Sequence, residues 1–269
     1  MVLGAVVVTI VFQLINAQGR FVELQSAREE VQQNNRAAIE LIGSELRALP
    51  PGEGLVRASA DSITLRSTRI WGVVCAVGPN SIDVVFPTIA GASYPVNSGT
   101  GAVVNVGTRE VPMWSSPVAV TAVGAAAPTC AGAPVPVGAE RRTVSVAVMP
   151  ANGAGTPVAG DAMYLFDLVT YRTGTSSGVP GRWIQRRVGD AGSSSNQPMA
   201  GPIDDAAGLR FRYFVGASTT SVAGAVLDAP TRNGVTRVML IVDAVSRRSF
   251  ATGRVQHVDT LLVSLRNRS

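Results

Sequence analysis

The sequence predicts an α+β chain: one long N-terminal helix packed on antiparallel β-sheet. Three patterns carry this. An apolar run opens the chain and passes without a break into a one-sided apolar stripe at helical spacing, which ends at Pro50-Pro51. Beyond the prolines, apolar and polar residues alternate in short runs, as in half-buried strands. Stretches rich in Gly, Ala, Pro, Ser and Thr separate those runs and read as loops. With 269 residues, 46% apolar and 15% charged, the chain is too hydrophobic to be disordered and long enough to bury a real core.

The opening run, Met1 to Phe12, contains Gly4, Ala5, Val6, Val7, Val8, Ile10, Val11 and Phe12. Its 12 residues fall short of the ~20 that span a bilayer. It lacks the basic n-region of a secretory signal, and no A-x-A cleavage pattern follows directly. It continues into a stripe formed by Leu24, Val31, Ala38, Ile42 and Leu46, flanked by Phe21 and Leu49. Charged and amide residues fill the other faces, and Glu29 with Gln33 and Gln32 with Arg36 sit one turn apart. One helix from Met1 to Leu49 would be about 70 Å long. The chain therefore divides into residues 1–18, an apolar, membrane-like part of the helix; 19–49, its amphipathic part; and 50–269, a β-rich body.

In the body, Ile63 and Leu65, then Val144, Val146 and Val148, then Leu209, Phe211 and Tyr213, then Leu261, Val263 and Leu265 alternate with other residues as one-sided strands. Trp71–Val77, Ile82–Phe86 and Val238–Val242 are more continuous and read as central strands. Asn233-Gly234 signals a hairpin turn. Ala90–Gly101, Gly124–Gly138 and Gly189–Gln197 read as long loops, and no second helix is indicated. Trp71, Trp114 and Trp183 are expected to pack, and Arg141-Arg142 and Arg186-Arg187 to sit on solvated strand edges.

Little here suits catalysis. Gly174-Thr175-Ser176-Ser177-Gly178 matches G-x-S-x-G, but it lies between two strand-like segments rather than on a strand-to-helix turn. His257 is the single histidine and falls on the apolar side of a strand with Val255 and Leu261, which favours a structural role. Asp204-Asp205 beside Gly201-Pro202 reads as a turn, since no D-x-D-x-D-G run offers calcium its ligands. Cys75 and Cys130 have neither C-x-x-C spacing nor a histidine cluster, so they do not read as a zinc site. They form either one disulfide, if the chain is exported, or two buried thiols. No cofactor, metal or small-molecule substrate is implied. The basic residues are all Arg, which reads as coding bias, so the net charge of +5 is discounted. The arginines are scattered and not interleaved with aromatics, so no nucleic-acid contact is expected.

The plan of a long helix, greasy first and amphipathic second, then a Pro/Gly break and a β-rich body, resembles type IV pilins and pseudopilins. Gln33-Asn34-Asn35-Arg36 through Leu46-Arg47 is similar to the Q-x-x-R…L-R helix end of the larger minor members, PilW-like proteins and the type II secretion J-like subunit. Tyr171-Arg172, Trp183-Ile184-Gln185-Arg186-Arg187 and Gly208-Leu209-Arg210-Phe211-Arg212-Tyr213 resemble their Y-R…L-x-R…G-V-x-F-x-Y progression, and Leu265-Arg266-Asn267-Arg268 resembles their ending. The family's Gly-Phe-Thr-Leu-x-Glu motif is absent. Were Met1 internal, about nine upstream residues would supply it and bring the apolar run to ~21 residues, a full span.

The resemblance implies a pilin-like fold and a non-enzymatic minor subunit of a type IV pilus or type II secretion filament. It implies anchoring in the bacterial inner membrane with a periplasmic body before assembly, and later a place in the filament. Its partners would be inner-membrane lipid and other pilin or pseudopilin subunits. Export favours the Cys75–Cys130 disulfide over two free thiols. The alternative is a membrane-tethered periplasmic binding or sensor domain, which would need a concave pocket with convergent polar groups.

Overall fold

The computed structural model describes residues 2–50, 54–87, 96, 99–107, 113–124, 130, 139–151, 155–176, 178–189, 196–204, 208–222, 226–251 and 253–265; side chains are described from residue 10 onward, Val179 excepted. In chain order the elements are α1 (Val2–Arg47), β1 (Leu55–Ala58), β2 (Ser62–Val77), β3 (Ser81–Phe86), β4 (Thr100–Val104), β5 (Val118–Val123), β6 (Glu140–Val146), β7 (Ala162–Ser176), β8 (Val179–Val188), β9 (Gln197–Ile203), β10 (Leu209–Val215), α2 (Ala229–Asn233), β11 (Val235–Phe250) and β12 (Gly253–Ser264).

The α+β, pilin-like expectation does not hold. The described residues are mostly antiparallel sheet, with 12 strands in one hydrogen-bonded system and a single long helix at the N-terminus. This is far more sheet than a small pilin-type body contains. The physical reason lies in two long strands, β2 and β7, which pair along most of their length from Ser62↔Arg172 to Val73↔Ala162. Each half of that ladder serves a different core.

The half built from the end of β2 and the start of β7 closes on itself. β2 pairs β3, β3 pairs β6, β6 pairs β5, β5 pairs β4 and β4 pairs β7, which returns to β2. The ring is a six-stranded barrel, and closure removes the exposed strand edges. Its interior is filled by Ile70, Val74, Ile82, Val84, Phe86, Val144, Met163 and Leu165 among others, without any helix.

The other half belongs to an open, curved sheet in the order β1-β2-β7-β8-β9-β11-β10, with β12 on the far edge of β11. Curvature brings β10 back to the β1–β2 turn, where the Phe211 amide donates to the Ala60 carbonyl at 2.8 Å and the Tyr213 hydroxyl to the Ser59 carbonyl at 2.8 Å. The lower half of α1 packs on this sheet. Ala38, Ile42, Leu46 and Leu49 join Ile63, Tyr171, Leu209, Phe211, Leu240 and Val263 in its core.

Several local expectations are also corrected. Val148 lies beyond the end of β6 and is 66% exposed. Trp71 points out of β2 and is 53% exposed, because its neighbours Ile70 and Val74 fill the barrel and Trp71 lies on the opposite face. Asn233-Gly234 is not a two-residue hairpin but the end of α2, which links β10 to β11. That helix was signalled by Asp228 before Ala229-Pro230: the Asp228 carboxylate caps the Thr231 amide at 3.0 Å, and this bonding holds it below the usual carboxylate range. Ser177, Asp205, Arg266, Asn267, Arg268 and much of the three long loops lie outside the described residues.

Candidate functional site

The helix α1 changes environment along its length. Every described residue from Ile10 to Glu23 is exposed, including Phe12 at 66%, Ile15 at 59% and Phe21 at 58%. Ile10 and Val11 are exposed with them, whereas the side chains of Gly4, Ala5, Val6, Val7 and Val8 lie outside the described ones. From Leu24, which is half-buried, the helix settles on the sheet: Ala27, Val31, Ala38, Ile42 and Leu46 are buried. The segment ahead of Leu24 is about 33 Å long at the helical rise. Among the described residues no helix is long and apolar enough to cross a membrane.

The seat is close and polar as well as apolar. A Cβ added at Gly43 would lie 2.6 Å from Leu261 Cδ2, so glycine lets α1 approach β12 there. Asn34 Nδ2 donates to the Gly201 carbonyl at 2.9 Å, and Asn35 Nδ2 to the His257 carbonyl at 2.7 Å. Asn35 is wholly buried, and its Oδ1 has no hydrogen-bond partner. Sequence reasoning missed Asn35 because a polar residue inside an apolar stripe gives no periodic signal.

It also misread Arg186. That residue is not on a solvated edge: its Nη2 pairs with Glu45 Oε1 at 2.8 Å, and its Nε lies 3.3 Å from the Tyr171 hydroxyl. Burial works to lower the Arg186 guanidinium, but the hydrogen bond and charge of Glu45 outweigh it and raise it. Burial, reinforced by the Glu45 carboxylate, pushes the Tyr171 phenol well above its usual range. Tyr213 is pushed up in the same direction, chiefly by burial.

The remaining candidates fall apart in space. Ser176 ends β7 at the β7–β8 turn, whereas His257 sits mid-strand on β12 beneath α1, opposite Ala244. Asp204 donates its amide to the Asp243 carbonyl just past β9. Among the described residues no group of three or more His, Cys, Asp or Glu could hold a metal. Cys75 on β2 and Cys130 are joined in a disulfide, their Cα atoms 4.9 Å apart. Two cavities of about 220 Å³ open on the body, one beside Arg66, Thr100 and Phe166, the other beside Arg210, Arg212 and Ser221. No family model, curated protein or solved structure matches the chain.

Proposed function

We propose that the chain is a non-enzymatic structural subunit whose free helical segment holds it to a membrane before assembly and then joins neighbouring subunits, as in a type IV pilus or type II secretion filament. One observation carries this reading: the unbroken exposure from Ile10 to Glu23 of a helix that contains Phe12, Leu14, Ile15, Phe21 and Val22. Seven large apolar side chains in that stretch face solvent: Ile10, Val11, Phe12, Leu14, Ile15, Phe21 and Val22. Such a surface marks a site covered by lipid or by another protein. Small and β-branched residues in the run that leads into it, Gly4 to Val8, suit close helix–helix approach in an apolar medium.

The disulfide supports an oxidising compartment, hence a body outside the cytoplasm. The tethered binding-domain alternative draws less support. The two cavities described among these residues, at about 220 Å³ each, are smaller than the roughly 300–1,000 Å³ of small-molecule sites. Flotation with liposomes of anionic and zwitterionic lipid tests the membrane half of the proposal. The full chain is expected to float with the vesicles, and Phe12→Asp/Ile15→Asp to remain at the bottom of the gradient while folded. Equal flotation of both would remove the helix from the anchoring role.

A further inference from the structure

The hairpin of β11 and β12 runs past the rest of the sheet and reaches the free part of α1. Its register shifts between Val245 and Ser249, a bulge that turns the strand locally. Ser246 holds that bulge: it is wholly buried, its Oγ donates to the Arg248 carbonyl at 2.7 Å, and it accepts from the Val255 amide at 3.0 Å. The turned backbone aims two arginines at the helix. Arg247 Nε pairs with Glu30 at 3.0 Å, and Arg248 Nη1 with Glu23 at 3.4 Å. The Arg247 guanidinium also lies 5.5 Å over the Trp183 ring, whose Nε1 donates to the Pro180 carbonyl.

Glu23 and Glu30 bracket the point where the apolar seat ends. Glu23 is the last residue of the fully exposed stretch, and Glu30 lies beside Val31, the first residue of the stripe to be fully buried. Below them apolar contact fixes the helix. Above them every described side chain from Ile10 to Val22 is exposed. The two ion pairs therefore flank the point where the unbroken helix leaves its apolar seat, and both are exposed, at 57% and 37% for Arg247 and Glu30 and 73% and 56% for Arg248 and Glu23. Exposed pairs contribute little each and weaken as salt screens them.

We propose that the β11–β12 hairpin end is an electrostatic strap that sets the direction in which the free helical segment leaves the body, and that screening or competing charge releases it. The strap deepens the assembly reading and rests on it for its purpose: a strap of exposed charges yields to a neighbouring subunit where an apolar clamp would not. A neighbouring subunit's acidic group on Arg248, or basic group on Glu23, would be enough to exchange the pair.

Spin labels at Gln18→Cys on the free helix and Met199→Cys on β9 test this in the full chain held in nonionic detergent, the native cysteines being joined to each other. At low salt one narrow distance is expected. Near 1 M salt, where the screening length falls to roughly 3 Å, that single distance is expected to give way to a broad distribution. Arg247→Glu/Arg248→Glu should give the same broad distribution at low salt. Adding Glu23→Arg/Glu30→Arg should restore the narrow one. A distance that stays narrow in high salt and in the double arginine variant overturns the proposal, as does failure of the charge swap to restore it. The measurement reads geometry within one chain, so it can fail while the flotation experiment succeeds, and the reverse.

Discussion

Arg186 on β8 and Glu45 on the last turn of α1 meet at 2.8 Å, and the Tyr171 hydroxyl lies 3.3 Å from the same guanidinium. Their side chains are only 23% and 13% exposed, and Glu45 Oε2 is buried without a partner. The pair ties the end of the helix to the middle of the curved sheet, 141 residues away in sequence.

Removing one member should cost more than removing both. Arg186→Ala leaves the Glu45 carboxylate without its counter-charge and is expected to destabilise the body by about 3 kcal/mol. Glu45→Leu with Arg186→Met is expected to lie within about 1.5 kcal/mol of the parent, because neither charge then needs compensation. Urea unfolding followed by tryptophan fluorescence measures both. A single variant no worse than the double one would show that the pair does not hold helix to sheet.

Two buried phenols predict alkaline weakness. Burial raises both Tyr171 and Tyr213 above the unfolded value of about 10. A group whose folded pKa is raised contributes stability that is fully present below the unfolded pKa and is lost as pH rises through and above it. Stability should therefore be flat with respect to these groups up to about pH 9 and fall above about pH 10. Tyr171→Phe should make that fall shallower. An unchanged slope in Tyr171→Phe and Tyr213→Phe alike would contradict the assignment.

The two halves of α1 should respond oppositely to the same substitution. Leu46 is wholly buried, so Leu46→Asp places a charge in the core and should cost more than about 4 kcal/mol, enough to unfold the body. Phe12 is 66% exposed, so Phe12→Asp should change body stability by less than about 0.5 kcal/mol. In a bilayer, however, that aspartate should weaken insertion, by less than the roughly 2.5–3.5 kcal/mol that an aspartate costs at a helix centre, because Phe12 closes the apolar run. Circular dichroism melts of both variants separate the cases.

How far the sequence can be read follows from which contacts are local. Leu24, Val31, Ala38, Ile42 and Leu46 lie on one helix face at spacings that periodicity detects, and Pro50-Pro51 marks where the helix stops. Leu209, Phe211 and Tyr213 alternate within one strand and can be placed on one side of it. The barrel is not legible, because it depends on β2 pairing with β7 about a hundred residues on, and alternation assigns a face but never a partner. Arg186 fails for a related reason. In β8 both faces carry arginine, Arg186 one and Arg187 the other, so nothing in the pattern tells the buried one from the outer one. Only the distant Glu45 decides it.

The disulfide should stabilise the barrel half. Cys75 is buried on the barrel part of β2, and the bridge closes a loop of 55 residues. On the chain-entropy model this is worth about 4 kcal/mol. Thiol labelling of protein denatured without reductant should find no free thiol. Cys75→Ala/Cys130→Ala should expose amides of β3 and β6 to hydrogen exchange before those of β11. Two reactive thiols in the native preparation would contradict the bridge.

The most direct test of the free helix as the point of attachment is photo-crosslinking in the native cell. A photoreactive residue replaces either Phe12, on the free helix, or Val148, exposed on the body. Phe12 is expected to give adducts with membrane lipid before assembly and with the helices of neighbouring subunits in assembled material, and Val148 to give few with lipid. If Phe12 instead crosslinks within its own body, or if Val148 alone reaches lipid and neighbours, the helix does not carry attachment and the proposed function fails with it.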